Sequence, residues 1–301
     1  MKILIATGIY PPDIGGPAQY AKNIETVWRN QGHTVKVLSF LFERKLPTGI
    51  RHIWYGSRLL FQMIGSDMVI ALDTFSAGVP AVFMAKILRR KLSRKERMIF
   101  RLTRYMLTHA DGIVFSTAWQ RNIFIPAYGI DSKKTHIVEN YYGKKEESFN
   151  PVRKNFIAGT RLLKWKNLDR VREVFASEDV KRAGVVFEEN SEKFEKFMDR
   201  ISNCYAVVLA SLGDISPNMI LDAIRYNKPF ILTKETGLYE RLKGIAIFVD
   251  PENDNDIKEK ILFLADDKNY QASADKVATF SFTHSWLEIC DELMKIYKNL
   301  L

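Results

Sequence analysis

Residues 211–240 read SLGDISPNMILDAIRYNKPFILTKETGLYE, a loop, a helix, a strand and a second loop in succession. The apolar run YAVVLA at 205–210 leads into it as a buried strand. Ser216 followed by Pro217 then marks a helix start, a hydroxyl N-cap ahead of the residue best tolerated in a first turn. Met219, Ile220, Ala223 and Ile224 supply an apolar face toward a sheet, while Asn218 and Asp222, four apart, share another face. Asp214 stands just before the helix, so two carboxylates flank its positive end. That end attracts phosphate, and carboxylates beside it can accept hydrogen bonds from sugar hydroxyls. By itself the same spacing also describes a turn aspartate and a solvated helix acid, so other segments must decide.

The N-terminus repeats the theme. Residues 2–7 form an apolar run consistent with a buried parallel strand, followed by GIYPPDIGGPAQYAKNIETVWRNQG at 8–32. Pro17 behind Gly15 and Gly16 predicts a helix that opens out of a glycine turn, with Ala21, Ile24 and Trp28 as its apolar stripe and Gly32 as its stop. A strand at 34–40 completes a βαβ opening, with the glycine loop at the carboxyl end of the first strand, where open α/β sheets bind ligands. GxGxxG is absent, so this is not a dinucleotide fingerprint. Further short apolar strands are expected at 67–72, 110–116, 135–138, 155–158, 183–187, 231–233 and 245–250, alternating with helical patterns. The stretch ENYYGKKEESFNPVRK at 139–154 has no apolar period and reads as a linker. It divides the chain into a domain at 1–140, a linker at 141–154 and a second domain at 155–301.

Several of these segments resemble the retaining glycosyltransferases of family four, which have the GT-B fold. Asp214 and Asp222 occupy the two positions at which that family carries glutamates with seven residues between them. LDAIRYNKPFILT at 221–233 stands where the family has a LEAMACGxPVIxS-like run, and TGLYE at 236–240 where it has a glycine-containing loop ending in Glu. GTRLLKWKNLDRV at 159–171 resembles the family's GRL…KG loop, with Arg161 and Lys166 on its basic positions. The N-terminal PP…GG loop, the segment ADGIVFS at 110–116 and the linker have counterparts there too. The departures are that both acids are one methylene shorter and that Asn227 replaces a usual Gly. In addition, residues 86–104 run straight into a basic segment where members usually have a further strand and an acceptor-side loop.

The resemblance implies an α/β protein of the GT-B class, two Rossmann-like doubly wound parallel-sheet domains facing a cleft, with the last helix returning to the first domain. It implies a retaining hexosyl-type transfer from a nucleotide-diphosphate sugar such as a UDP- or GDP-sugar, with no cofactor and no required metal. Arg161 and Lys166 would hold the diphosphate and neutralise the charge that grows on the leaving group, with Asp214 on the sugar hydroxyls as the third catalytic residue. Asp222 would bind the ribose, with Ser216, Asn218, Thr236, Gly237, Gly15 and Gly16 completing the donor site. Asp73, in the loop after the strand at 67–72, is an acceptor-side candidate whose other reading is a structural cap.

Composition bounds the partners. The 301 residues, 47% hydrophobic and 27% charged, describe an ordinary globular chain with a net charge of +10. The partner is therefore anionic: a nucleotide diphosphate, an acidic membrane surface or nucleic acid. Residues 86–104, KILRRKLSRKERMIFRLTR, hold nine Lys or Arg against the single acid Glu96, and Met98, Leu102, Tyr105 and His109 fall at helical spacing. Such a basic amphipathic helix suits an anionic membrane surface; its other reading is a solvated helix packed on the sheet. Stacking aromatics are sparse in it, so specific nucleic-acid binding is not expected. No apolar run approaches a membrane span and no signal-peptide pattern opens the chain, which places the protein in the cytoplasm, peripheral on the membrane at most. The acceptor expected is a glycan or a lipid-linked precursor. An inactive nucleotide-sugar-binding protein of the same fold and a basic nucleic-acid-binding protein are the alternatives. Cys204 and Cys290 have neither metal-ligand nor disulfide spacing and are expected to be buried packing residues.

Overall fold

The computed structural model describes residues 1–13, 15–40, 47–72, 94–159, 164–190 and 194–301. The strands are β1 (Lys2–Ala6), β2 (Thr34–Leu38), β3 (Met68–Ala71), β4 (Ile113–Phe115), β5 (Thr135–Ile137), β6 (Lys154–Gly159), β7 (Val185–Asn190), β8 (Ala206–Leu209), β9 (Phe230–Thr233) and β10 (Ile247–Val249). Each strand read from the sequence is present with its ends moved by a few residues. At β7 the strand runs on through Glu188 and Glu189.

The chain divides into two compact units. The first takes residues 1–113, 128–136 and 286–301, the second residues 114–127 and 137–285. The segment 114–127 therefore groups with the second unit, and the helix Trp286–Leu300 with the first.

In the first unit the described sheet has the order β2-β1-β3, all parallel. The helix Gly16–Asn30 starts directly behind the glycine turn, with Gly15 as N-cap at φ 150°, ψ 157°, a backbone region essentially confined to glycine. Its buried stripe is Ala18, Ala21, Ile24 and Trp28. The helix Trp286–Leu300 packs on it through Ile289, Cys290 and Leu293, with the Tyr20 and Trp286 rings edge to face at 5.2 Å. Burial pushes the Cys290 thiol up to about 12, as expected of an inert packing cysteine, and Cys204 likewise.

Two helices of this unit depart from the sequence reading. Thr48–Met63 was not foreseen; Tyr55 fixes it to the sheet, its hydroxyl donating to the carbonyls of Thr7 (3.3 Å) and Leu38 (3.1 Å). Arg94–His109 carries the second part of the basic segment, but Tyr105 and His109 are exposed, and Thr103 and Leu107 are buried instead. Phe100 stacks on Tyr128 at 4.9 Å and completes that inward row. Both rows have helical spacing, and among the described side chains it is Thr103 and Leu107, in line with Phe100, that are buried.

The second unit is a five-stranded parallel sheet in the order β10-β9-β8-β6-β7. Counted within the unit this is the doubly wound order 2-1-3-4-5, whose direction of winding reverses between β6 and β8. The strands are buried on both sides: Ile157, Val207, Leu209, Phe230 and Leu232 belong to one core layer, Phe156, Ala158, Val208 and Ile231 to the other. The linker is pinned to this unit. Lys145 donates to carbonyls in the last turns of two helices, Ile224 O and Val277 O, both at 2.7 Å, and Glu146 pairs with Arg225. No described helix is long and apolar enough to cross a membrane.

Candidate functional site

The reversal point of the second sheet creates the crevice. Where neighbouring connections leave a parallel sheet toward opposite faces, a gap opens beyond the carboxyl ends of the two strands between them, here β6 and β8. Three loops meet at that edge, and backbone hydrogen bonds join them. Leu212 N donates to Trp165 O (2.9 Å), Asp214 N to Glu235 O (2.9 Å), and Gly237 N to Asp214 O (3.1 Å). Asn167, in the left-handed conformation at φ 58°, clamps the same edge by donating from Nδ2 to Ala210 O (3.0 Å) and Pro251 O (2.7 Å).

This frame brings Lys166 and Asp214 together. Lys166 Nζ lies 2.6 Å from Asp214 Oδ2, with both side chains largely buried, and 4.2 Å from the centre of the Trp165 ring. A carboxylate and an aromatic face thus fix an ammonium that would otherwise wander on a flexible stem. One N–H serves Asp214, and no other described residue takes a hydrogen bond from the ammonium, which leaves donor capacity for an incoming anion.

Asp222 follows on the helix Asn218–Arg225. It is half-buried, its carboxyl makes no hydrogen bond to a described residue, and it is pushed up to about 7. Desolvation is the main cause; nearby Arg225 opposes it and Glu146 adds to it. A carboxyl in this state has acceptor capacity unused by the protein and would gain most from a hydroxyl that hydrogen-bonds its charged form.

Ser216 does not cap this helix. Pro217 holds the N-cap position, and the Ser216 hydroxyl instead accepts from Asn140 Nδ2 at 2.9 Å. With φ fixed and no side-chain acceptor, Pro217 leaves the first-turn amides uncapped by any side chain. Asn218 is exposed at that turn. Thr236 is buried and its hydroxyl accepts from Leu238 N (3.3 Å), so the side chain shapes the loop rather than lining a pocket. Gly237 is required by close approach: a Cβ there would lie 2.4 Å from both Ile215 O and Thr117 Oγ1. Thr117 itself caps the helix Ala118–Tyr128, accepting from Gln120 N at 3.1 Å.

Asn227, where a glycine was the usual residue, sits at φ 55°. It closes a Schellman turn in which Asn227 N donates to Ile224 O (3.1 Å) and Lys228 N to Ala223 O (2.9 Å). Asparagine is the non-glycine residue that tolerates this conformation best, so the replacement keeps the helix end intact. Arg161 and Asp73 lie outside the described residues, as do residues 86–93 of the basic segment. Gly15 and Gly16 lie in the first unit at the carboxyl side of β1. Trp165, Asn167 and Asn140 were missed from sequence. An Asn directly ahead of a helix was a visible cap signal for Asn167, whereas nothing local marks the other two.

Two parallel doubly wound units, the second with a cation–carboxylate pair at its reversal point, define an α/β protein of the GT-B class. No family model matches the sequence, and no curated protein matches it either. Among solved structures the chain is similar to WaaG, a glycosyltransferase involved in lipopolysaccharide biosynthesis, at 12% identity and TM-score 0.75 over 98% of this chain and 99% of that one. It is similar to a sucrose-phosphate synthase from Thermosynechococcus elongatus, at 10% identity and TM-score 0.72 over 99% and 98%. It also resembles Anabaena HepE in complex with UDP and glucose, at 15% identity and TM-score 0.67 over 99% of both chains.

Proposed function

We propose that this chain is a retaining glycosyltransferase that moves a hexosyl group from a nucleotide-diphosphate donor, such as a UDP- or GDP-sugar, to a lipid-linked or cell-surface glycan precursor. The observation that carries the reading is the Lys166–Asp214 pair at 2.6 Å at the sheet reversal point, with the desolvated carboxyl of Asp222 on the helix that follows. A structural neighbour described as a glycosyltransferase and another in complex with UDP and glucose support it.

In this reading the Lys166 N–H groups not engaged by Asp214, together with Arg161 five residues earlier in the sequence, take the diphosphate oxygens. They stabilise the negative charge that develops as the glycosidic bond breaks. Asp214 orients Lys166 and accepts from a sugar hydroxyl, while Asp222 accepts from the ribose. The uncapped amides at Asn218 and the backbone at Gly237 complete the donor contacts. The departing phosphate can take the acceptor's proton on the same face of the sugar, so no protein nucleophile and no metal is needed. In the first unit the Gly15–Gly16 turn offers amides to phosphate or acceptor, and Asp73 is the acceptor-side candidate. The protein would work in the cytoplasm, held peripherally on an anionic membrane through residues 86–104; exposed Arg101 and Arg104 support that.

The test is a panel of nucleotide sugars with lipid-linked glycan acceptors, product anomers being read by NMR with and without a chelator. Transfer with retained configuration, insensitive to the chelator, is expected. An inverted product overturns the mechanism, and tight nucleotide-sugar binding without turnover identifies a binding protein instead.

A further inference from the structure

The helix Thr48–Met63 presents an apolar row to solvent. Ile50 is 55% exposed, Trp54 48%, Phe61 78%, and Ile64, at the C-cap, 80%. Their spacings of four, seven and three residues keep all four within roughly 80° of one another around the helix axis, along a line about 20 Å long. The opposite side is the one that Tyr55 bonds to the sheet. The row is thus apolar where a solvated helix face is usually polar, and an exposed apolar row of this kind marks a contact surface.

Charge selects the partner. Residues 1–113 contain 17 Lys and Arg against 7 Asp and Glu, so the whole net charge of +10 lies in that segment and the remaining chain is neutral. Between Pro47 and Ser66 there is no carboxylate at all, while Arg51 and Arg58 are present. A second copy of so basic a surface would be repelled. An anionic bilayer matches both features, because its headgroups attract the cations and its interface accepts tryptophan, phenylalanine and isoleucine side chains.

We infer that the helix Thr48–Met63 is a membrane-contact element that lies in the plane of an anionic lipid surface, with Ile50, Trp54, Phe61 and Ile64 seated among the headgroups. The inference rests on the membrane-surface reading of the first unit and adds to it a second, apolar element distinct from residues 86–104. It does not depend on the donor site.

The experiment is co-sedimentation of the full chain with vesicles of phosphatidylcholine containing about one third phosphatidylglycerol, against pure phosphatidylcholine, for three proteins. These are the unaltered chain, Phe61→Ser/Ile64→Ser and Arg101→Glu/Arg104→Glu, each checked for an unchanged thermal midpoint. Binding of the unaltered chain to anionic vesicles only, weakened about tenfold or more by Phe61→Ser/Ile64→Ser, is expected. Binding that falls only in the arginine variant overturns the role of this helix and leaves the basic segment as the contact. No vesicle binding by any of the three overturns both membrane readings while leaving the transfer assay to judge the donor site. A concentration-dependent dimer abolished by Phe61→Ser/Ile64→Ser, without vesicle binding, identifies the row as a self-contact and also overturns the inference.

Discussion

The carboxyl edges of the two parallel sheets are built differently. After β1 in the first unit the edge is a backbone device: a glycine in a conformation essentially confined to glycine, followed by a helix start. At β6, β8 and β9 in the second unit it is a side-chain device. Three loops are hydrogen-bonded into a frame that fixes an ammonium against a carboxylate, and on the next helix a second carboxyl makes no hydrogen bond to a described residue. Both edges can meet an anion. The second adds to its backbone a fixed side-chain cation, and a preorganised cation counts for more as negative charge grows.

Breaking the ammonium should have the largest effect. Lys166→Ala is expected to lower transfer by roughly 10²–10³, with the fold kept, as removal of a preorganised charge stabiliser does elsewhere. Single-turnover transfer and circular dichroism check this; unaltered turnover would remove Lys166 from the mechanism. Next comes the loop frame. Gly237→Ala must push apart Ile215 O and the Thr117 side chain, and overpacking of that kind costs about 3 kcal/mol. Denaturant unfolding measures it, and a loss well under 1 kcal/mol would show that the loop gives way easily. On the other edge, Gly15→Ala places a side chain at φ 150°, at a cost of about 1–2 kcal/mol. The same unfolding experiment should rank it below Gly237→Ala, and the reverse order would mean that the first edge is the more tightly constrained.

Asp222 gives the smallest and most specific effect. Its unfolded carboxyl titrates near 3.8 and its folded one at about 7, so between those values the native state holds a proton that the unfolded state has lost. Stability is then fully present below the lower value and falls as pH rises through the upper one, by about 1–2 kcal/mol for a half-buried group. Asp222→Asn should flatten that decline. A ribose hydroxyl favours the charged form, so nucleotide affinity should rise from pH 6 to pH 8 by about tenfold and lose its pH dependence in Asp222→Asn. Calorimetric titration in two buffers reads the proton released; identical pH profiles for the two proteins would count against a ligand role for this carboxyl.

Most of the fold was legible because buried parallel strands announce themselves as short apolar runs between turn residues, and the strands from β1 to β10 follow that pattern. The helix Thr48–Met63 escaped because its most exposed residues are apolar, which hides the usual contrast between a wet and a dry face. In the helix Arg94–His109 two rows of helical period coexist, and of the described side chains Thr103 and Leu107 are buried on the side where Phe100 stacks on Tyr128, while Tyr105 and His109 are exposed. In the site, Lys166 and Asp214 were legible as residues, and their pairing was not.

The sequence by itself determined the alternation of strands and helices, the two glycine- and proline-marked helix starts, the acids at 214 and 222 and the basic loop before them, because each depends on local backbone preference or period. Only the tertiary structure decided that Lys166 and Asp214, far apart along the chain, meet at 2.6 Å. It also decided that Ser216 serves Asn140 rather than a helix end, and that Gly237 admits no side chain. Those outcomes depend on strand order. The position of β8 beside β6, set by where the winding reverses, is a long-range packing result that no local pattern encodes.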